Sequence, residues 1–218
     1  MASLSVAREA IAEVGRRLSD RGLLAGTQGN ISVRLDSERI VVTPGGVSKG
    51  RLSPRDMITV NLTTGAKLQG PGRASSELPM HLFVYRNRPD ILACVHAHPP
   101  YATAFAVAGV QLAEDFLPEV VLSVGRVPLT DYAPPGTQAV PQALAPFIAD
   151  CNAFLLRNHG LLTIGRTLEE AYNRHETVEH CARIAHLSSQ IGDPHGIPAD
   201  DYERLSKIRR EGEKTQDN

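Results

Sequence analysis

The chain has 218 residues, 42% of them hydrophobic, and a formal net charge of −1, which suits one compact domain with a real core. The near-neutral balance argues against nucleic acid as the main partner, and five Phe, five Tyr and no Trp leave little to stack bases on. No apolar run reaches membrane-spanning length, and three widely spaced cysteines without a CxxC suit free thiols in a reducing cytoplasm.

The first element is an amphipathic helix rather than a signal peptide, with apolar residues at Val6, Ala10, Ile11, Val14 and Leu18. Ser3 or Ser5 can cap it and Gly22 can end it. "NISVRL" and "RIVVTP" read as an antiparallel hairpin, and "DMITVNLTTGAKLQG" as a strand, a turn and a short strand. "SELPMHLFVYRNRP" reads as a helix stopped by Pro89, "ILACVHAH" as a strand, and "PPYATAFAVAG" as a helix ended by Gly109. "EVVLSVGRVPLTDY" is β-branched enough to predict one or two strands, and "GTQAVPQALAPFIAD" predicts a helix. "AFLLRNHGLLTIG" reads as two strands broken at a turn. The longest helix follows, with Thr167 and Glu170 spaced as a capping box. Residues 193–218 form a charged tail expected to fray, after a single domain over 1–192. There is no repeat, linker or regular βαβ rhythm. The expected fold class is α/β: α/β/α layers around a central, mainly antiparallel sheet.

His96 and His98 stand at i and i+2 at the end of a predicted strand, so both imidazoles face one way, and Pro99 and Pro100 stop the strand behind them. Two neutral imidazoles aimed at one point begin a metal site. A third, His159, sits at the turn in "LLRNHGLL", where Gly160 permits a tight backbone. Three imidazoles suit Zn²⁺ with an open position, as in a catalytic rather than a structural site. Taken alone, each of these motifs is equally an ordinary turn or core histidine. Glu77 opens the helix after Ser75 and Ser76. These three are either a dipole partner with plain caps, or a carboxylate beside an anion site at a helix N-terminus. Two Gly-containing loops, "GTQGNISVR" with Thr27 and Asn30 and "TPGGVSKGRL" with Gly45 and Gly46, allow amides to approach a phosphate. As isolated loops they are ordinary hairpin turns.

In this order, "GTQGNISVR", "VVTPGG", "SSE", "VHAHPPYAT" and "NHG" resemble the class II aldolase/adducin family over about Val6 to Ile191, with the zinc-dependent L-fuculose-phosphate aldolases as the most similar branch. The resemblance implies that His96, His98 and His159 hold zinc, with Mn²⁺ or Co²⁺ as substitutes. It implies that Glu77 is the acid/base and a ligand of the empty metal. It also implies that Thr27, Asn30, Gly45, Gly46, Ser75 and Ser76 surround a substrate phosphate. It further implies a homotetramer with sites near subunit interfaces. Gly45 departs from the branch, which has threonine there. The segment "QLAEDFLPEV" lacks the branch's tyrosine, so Tyr101 and Tyr132 are the nearest substitutes. These departures bear on the substrate more than on the reaction.

The expected reaction is cleavage of a ketose 1-phosphate, related to L-fuculose 1-phosphate or to 5-deoxy- or 5-methylthio-ribulose 1-phosphate, into dihydroxyacetone phosphate and an aldehyde. Decarboxylation, dehydration or 4-epimerisation of a sugar phosphate would use the same ligands through an enediolate. A non-catalytic, adducin-like binding role would not require the histidines. No Schiff-base lysine is needed, and Lys49, Lys67, Lys207 and Lys214 fall in turns or the tail.

Overall fold

The computed structural model describes residues 3–215. The chain runs α1 (Leu4–Asp20), β1 (Asn30–Arg34), β2 (Arg39–Val42), β3 (Ile58–Asn61), β4 (Lys67–Gln69), α2 (Leu78–Asn87), β5 (Ala93–Ala97), α3 (Pro100–Ala108), α4 (Pro118–Ser123), α5 (Ala139–Leu144), β6 (Ala153–Leu156), β7 (Gly160–Gly165), α6 (Leu168–Ile191) and α7 (Ala199–Thr215). The strands form one sheet in the order β4-β3-β2-β1-β5-β7-β6, antiparallel at every step. The expected α/β/α layering with an antiparallel sheet is what the chain adopts.

Burial on both faces explains the strands' nearly unbroken apolar runs. On one face Ile40, Ile58, Cys94 and Leu162 pack under Met80 and Val84 of α2 and Val140 and Leu144 of α5. On the other, Ile31, Val33 and Val95 meet Ile11, Val14 and Leu18 of α1 and Tyr172 of α6, while Leu155 and Leu161 meet α3, α4 and α6. In α1 the buried stripe starts at Ala7, and Val6 is left 55% exposed. Ser3 caps that helix by accepting from Val6 N, and Thr167 caps α6 by accepting from Glu170 N. The Glu170 carboxylate reaches Arg166 N instead of closing the box on Thr167.

Three expectations change. "EVVLSVGRVPLTDY" does not form regular strands. Pro118–Ser123 is α4, and Leu129 makes a single parallel bridge to Leu155. Pro118 suits a first helical turn, and Val120, Val121 and Val124 are buried at helical spacing, so tertiary packing overrides β-branched propensity. The helix predicted over "GTQAVPQALAPFIAD" contracts to Ala139–Leu144, with Pro146 just beyond its end. The tail, rather than fraying from Asp193, carries α7. Asp200 and Asp201 lie in its first turn, Ser206 is buried, and Tyr202 Oη donates to Glu114 Oε1 at 3.2 Å. The tail's last residues, 216–218, lie outside the described residues. Among those described, no helix is long and apolar enough to cross a membrane.

Candidate active site

Strand β5 is central, flanked by β1 and β7, and it carries His96 to one end of the sheet, opposite Asn30 and Leu162. His98 follows two residues on. The β6–β7 turn delivers His159 to the same end, with Asn158 at φ +55°, a left-handed position that asparagine tolerates. Gly160 is required there, because a Cβ would lie 2.6 Å from both Ala97 O and His98 Cδ2. The three imidazoles meet with ring centroids 4.7 to 5.0 Å apart, and one nitrogen from each lies within 4.8 Å of the others.

Glu77 closes the cluster from the N-terminus of α2. Its Oε2 is 3.2 Å from His96 Nε2, and its Oε1 is 3.1 Å from His159 Nε2. His96 Nδ1–H donates to Leu161 O at 2.9 Å, which leaves Nε2 as a lone pair in the neutral ring. That lone pair faces His98 Nε2 at 3.2 Å and Glu77 Oε2. Glu77 Oε1 is buried and receives no aligned hydrogen bond. Acceptors converging in a buried space repel unless a proton or a cation sits between them. Three nitrogens and a carboxylate are also the donor set a divalent transition metal prefers. The residues present therefore fit a divalent cation.

The electrostatics agree. Burial would raise the Glu77 carboxyl, but His96 and His159 outweigh it and hold the group well below the usual carboxylate range. Burial pulls His96 down, and Glu77 more than offsets this, leaving its pKa raised. Burial first, then the charges of His96 and His159, press His98 down to about 3, so it is neutral and ready to ligate at pH 7.

Glu77 is also held from behind. Asn30 Nδ2 donates to Glu77 Oε2 at 2.8 Å, and Asn30 Oδ1 accepts from His81 Nε2. His81 Nδ1 in turn accepts from Ser32 Oγ at 2.6 Å, and Ser32 Oγ lies 2.7 Å from Tyr85 Oη. Glu77, His81 and Tyr85 are spaced i, i+4, i+8 along α2, and Asn30 and Ser32 are i, i+2 on β1, so a helix stripe lies over one face of a strand. Burial drives the His81 imidazole down to about 3 and the Tyr85 phenol up, which keeps the chain of hydrogen bonds neutral. The sequence marks Asn30 and Glu77 as candidates. It missed Ser32 and Tyr85, although their spacing was visible.

The two Gly-containing loops come together beside this cluster. Gly45 N donates to Arg73 O and Pro44 bridges Ala74, which joins the loop of Gly45 and Gly46 to the segment of Ser75 and Ser76. Ser75 Oγ accepts from Glu77 N at 3.3 Å. Gly29 is pressed onto β5, where a Cβ would lie 2.7 Å from His96 O. Lys49 differs from its sequence reading as a turn lysine. It is 2% exposed, and its Nζ donates to Thr27 O at 2.7 Å and Val47 O at 2.9 Å, tying both loops. Burial lowers its pKa against the pull of Glu77. Thr27, Gly45, Gly46 and Ser76 are exposed on these loops. The substitute tyrosines are not in the cluster. Tyr101 packs its ring toward His186 and Arg183, and Tyr132 is 59% exposed.

The profile of the class II aldolase and adducin N-terminal domain matches residues 9–186. A Bacillus thuringiensis protein named 5-deoxy-D-ribulose 1-phosphate aldolase is 35% identical over 92% of this chain and 93% of its own length. An Escherichia coli protein named 3-oxo-tetronate 4-phosphate decarboxylase is 36% identical over 85% of this chain and 87% of its own. A solved structure of an L-fuculose 1-phosphate aldolase superposes with a TM-score of 0.86 at 31% identity, covering 95% of this chain and 97% of that one.

Proposed function

The chain belongs to the class II aldolase and adducin family, and from that premise we propose that it is a metal-dependent aldolase cleaving a ketose 1-phosphate to dihydroxyacetone phosphate and an aldehyde. The observation that carries the proposal is the meeting of His96, His98, His159 and Glu77 in one buried cluster beside two loops suited to a phosphate. A non-catalytic binding role would not call for three imidazoles and a carboxylate gathered at one buried point.

We assign Zn²⁺ to the three histidines, with Mn²⁺ or Co²⁺ as substitutes, and Glu77 as a further ligand of the empty site. When bound, such an ion supplies Lewis-acid stabilisation of negative charge developing on substrate oxygen. The chain's own residues do the rest. Thr27, Gly45, Gly46, Ser75 and Ser76 take the phosphate, Asn30 stands buried behind them on Glu77, and Lys49 holds the two loops in register. Asn30 fixes Glu77 Oε2, so Oε1 is the oxygen left to move a proton. In cleavage the C4 hydroxyl loses its proton and the C3–C4 bond breaks. A proton is then returned at C3, the step assigned to Glu77. Neither Tyr101 nor Tyr132 packs into the cluster, which favours a small aldehyde portion such as that of 5-deoxyribulose 1-phosphate. A homotetramer and a reducing cytoplasm complete the proposal, the latter supported by three buried free cysteines.

Decarboxylation of a 3-keto sugar-acid phosphate is the second reading, favoured by the Escherichia coli relative. The deciding experiment offers zinc-loaded protein L-fuculose, L-rhamnulose, 5-deoxyribulose and methylthioribulose 1-phosphates and follows dihydroxyacetone phosphate. Release is expected from at least one, and Glu77→Gln should lower it by about 10²–10⁴-fold while the protein stays folded. Metal-loaded protein that releases none, but evolves carbon dioxide from a 3-keto acid phosphate, would replace the aldolase with the decarboxylase.

A further inference from the structure

Lys49 opens a short helical turn, Lys49–Arg51, that lies against α1. Gly15 of α1 permits the close approach, since a Cβ there would collide with Lys49 O. Packed in this way the lysine is 2% exposed, and its side chain ends between the two Gly-containing loops. Nζ donates to Thr27 O at 2.7 Å and to Val47 O at 2.9 Å, the short distances of an ammonium on neutral carbonyls. An ammonium has three donors, and these carbonyls take two. The third has no acceptor among the described residues.

A lysine is seldom buried this far without a counter-charge, because an unpaired ion gives up its hydration for nothing. Among the described residues no carboxylate pairs with Lys49. Glu77, the acid whose charge reaches it, is paired with His96 and His159 instead. Burial lowers the lysine pKa and outweighs the pull of Glu77, as expected of a cation short of negative charge. The residues assigned to the phosphate, Thr27, Gly45, Gly46, Ser75 and Ser76, are all uncharged. Neutral donors orient a phosphate but discriminate weakly between a dianion and a monoanion of the same shape. An ammonium held out of water between the two loops supplies that discrimination, and it acts more strongly there than an exposed lysine would. A dianion bound at the loops would in turn give Lys49 the counter-charge that the chain withholds.

We propose that Lys49 sets the charge specificity of the site, its ammonium selecting a phosphate dianion over uncharged or monoanionic groups of the same size; this rests on the reading of the two loops as a phosphate site. The test is calorimetric titration of the zinc-loaded full chain at a pH above about 7. Dihydroxyacetone phosphate, a dianion there, is compared with dihydroxyacetone sulfate, a monoanion of the same shape. The unaltered chain should bind the phosphate at least about tenfold more tightly. Lys49→Met should weaken the phosphate by about 10–100-fold and the sulfate by less than about twofold, drawing the two affinities together. Lys49→Gln, which keeps two N–H donors for the loop carbonyls but no charge, should do the same. Equal affinity of the unaltered chain for both esters overturns the proposal without any variant. Phosphate binding that either variant leaves unchanged overturns it too. A loss that falls equally on both esters in Lys49→Gln would reduce Lys49 to a tie between the loops. Failure of the unaltered chain to bind either ester would instead remove the phosphate site itself, and the reading beneath the proposal with it.

Discussion

Asn30 joins two functions in one side chain. Its amide orients Glu77, and its carbonyl oxygen takes the proton of His81. Asn30→Ala removes both, so kcat should fall about 10–100-fold, the usual cost of losing a group that orients a ligand or base. Unfolding free energy should drop by about 1–3 kcal/mol for the buried His81 Nε2–H left without an acceptor. Unchanged kcat in a destabilised variant would show that Glu77 needs no such support. At this scale the sequence revealed the members of the histidine cluster more readily than the residues that support it. His96 and His98 announce themselves by i, i+2 spacing ahead of two prolines, and His159 by its turn. Lys49 looked like any turn lysine, because its burial depends on two carbonyls, Thr27 O and Val47 O, brought to it by the fold.

Helix α2 shows how one element can be both scaffold and site. Met80 and Val84 bury it against the sheet, while Glu77, His81 and Tyr85 form a polar stripe over β1. Tyr85→Phe removes the far end of that stripe. It should cost about 1 kcal/mol in denaturant unfolding and leave kcat nearly unchanged, since Glu77 keeps its bond to Asn30. A large loss of kcat with little loss of stability would mean that the phenol acts on Glu77 through the whole chain of bonds. Elements with strong periodicity, α1, α6 and the β1–β2 hairpin, were legible from spacing alone. Helix α4 was not, because Val120 and Val121 read as strand until the apolar cluster around α6 is known. Helix α7 was hidden by its polarity and is defined by what Ser206 and Tyr202 touch.

Across the molecule, the buried histidines set the response to pH. Without a bound metal, His81, His98 and His175 are each held down to about 3, chiefly by burial, whereas an unfolded chain protonates them near 6.5. Folded pKa values below the unfolded ones mean stability that is complete above about 6.5 and lost as pH falls toward 3, by about 1.4 kcal/mol per pH unit for each histidine. His96, raised by Glu77, runs the other way, and its contribution fades as pH rises above the unfolded value. Resistance to urea should therefore weaken steadily from pH 6.5 to 5, and His175→Leu should remove about one proton's share of that slope. A flat profile would mean that these histidines are not buried neutral. The layered fold was legible as a whole, because alternating helices and strands without a βαβ rhythm leave few other packings. The pairing order around β5, which joins His96 to His159, was not, since register is a long-range property. That union is most directly tested by zinc titration of the chelator-treated chain, with His96→Ala alongside. One zinc per chain is expected, weakened more than about a hundredfold by the substitution. Full, tight binding by His96→Ala, or none by the unaltered chain, would contradict a metal centre at these residues.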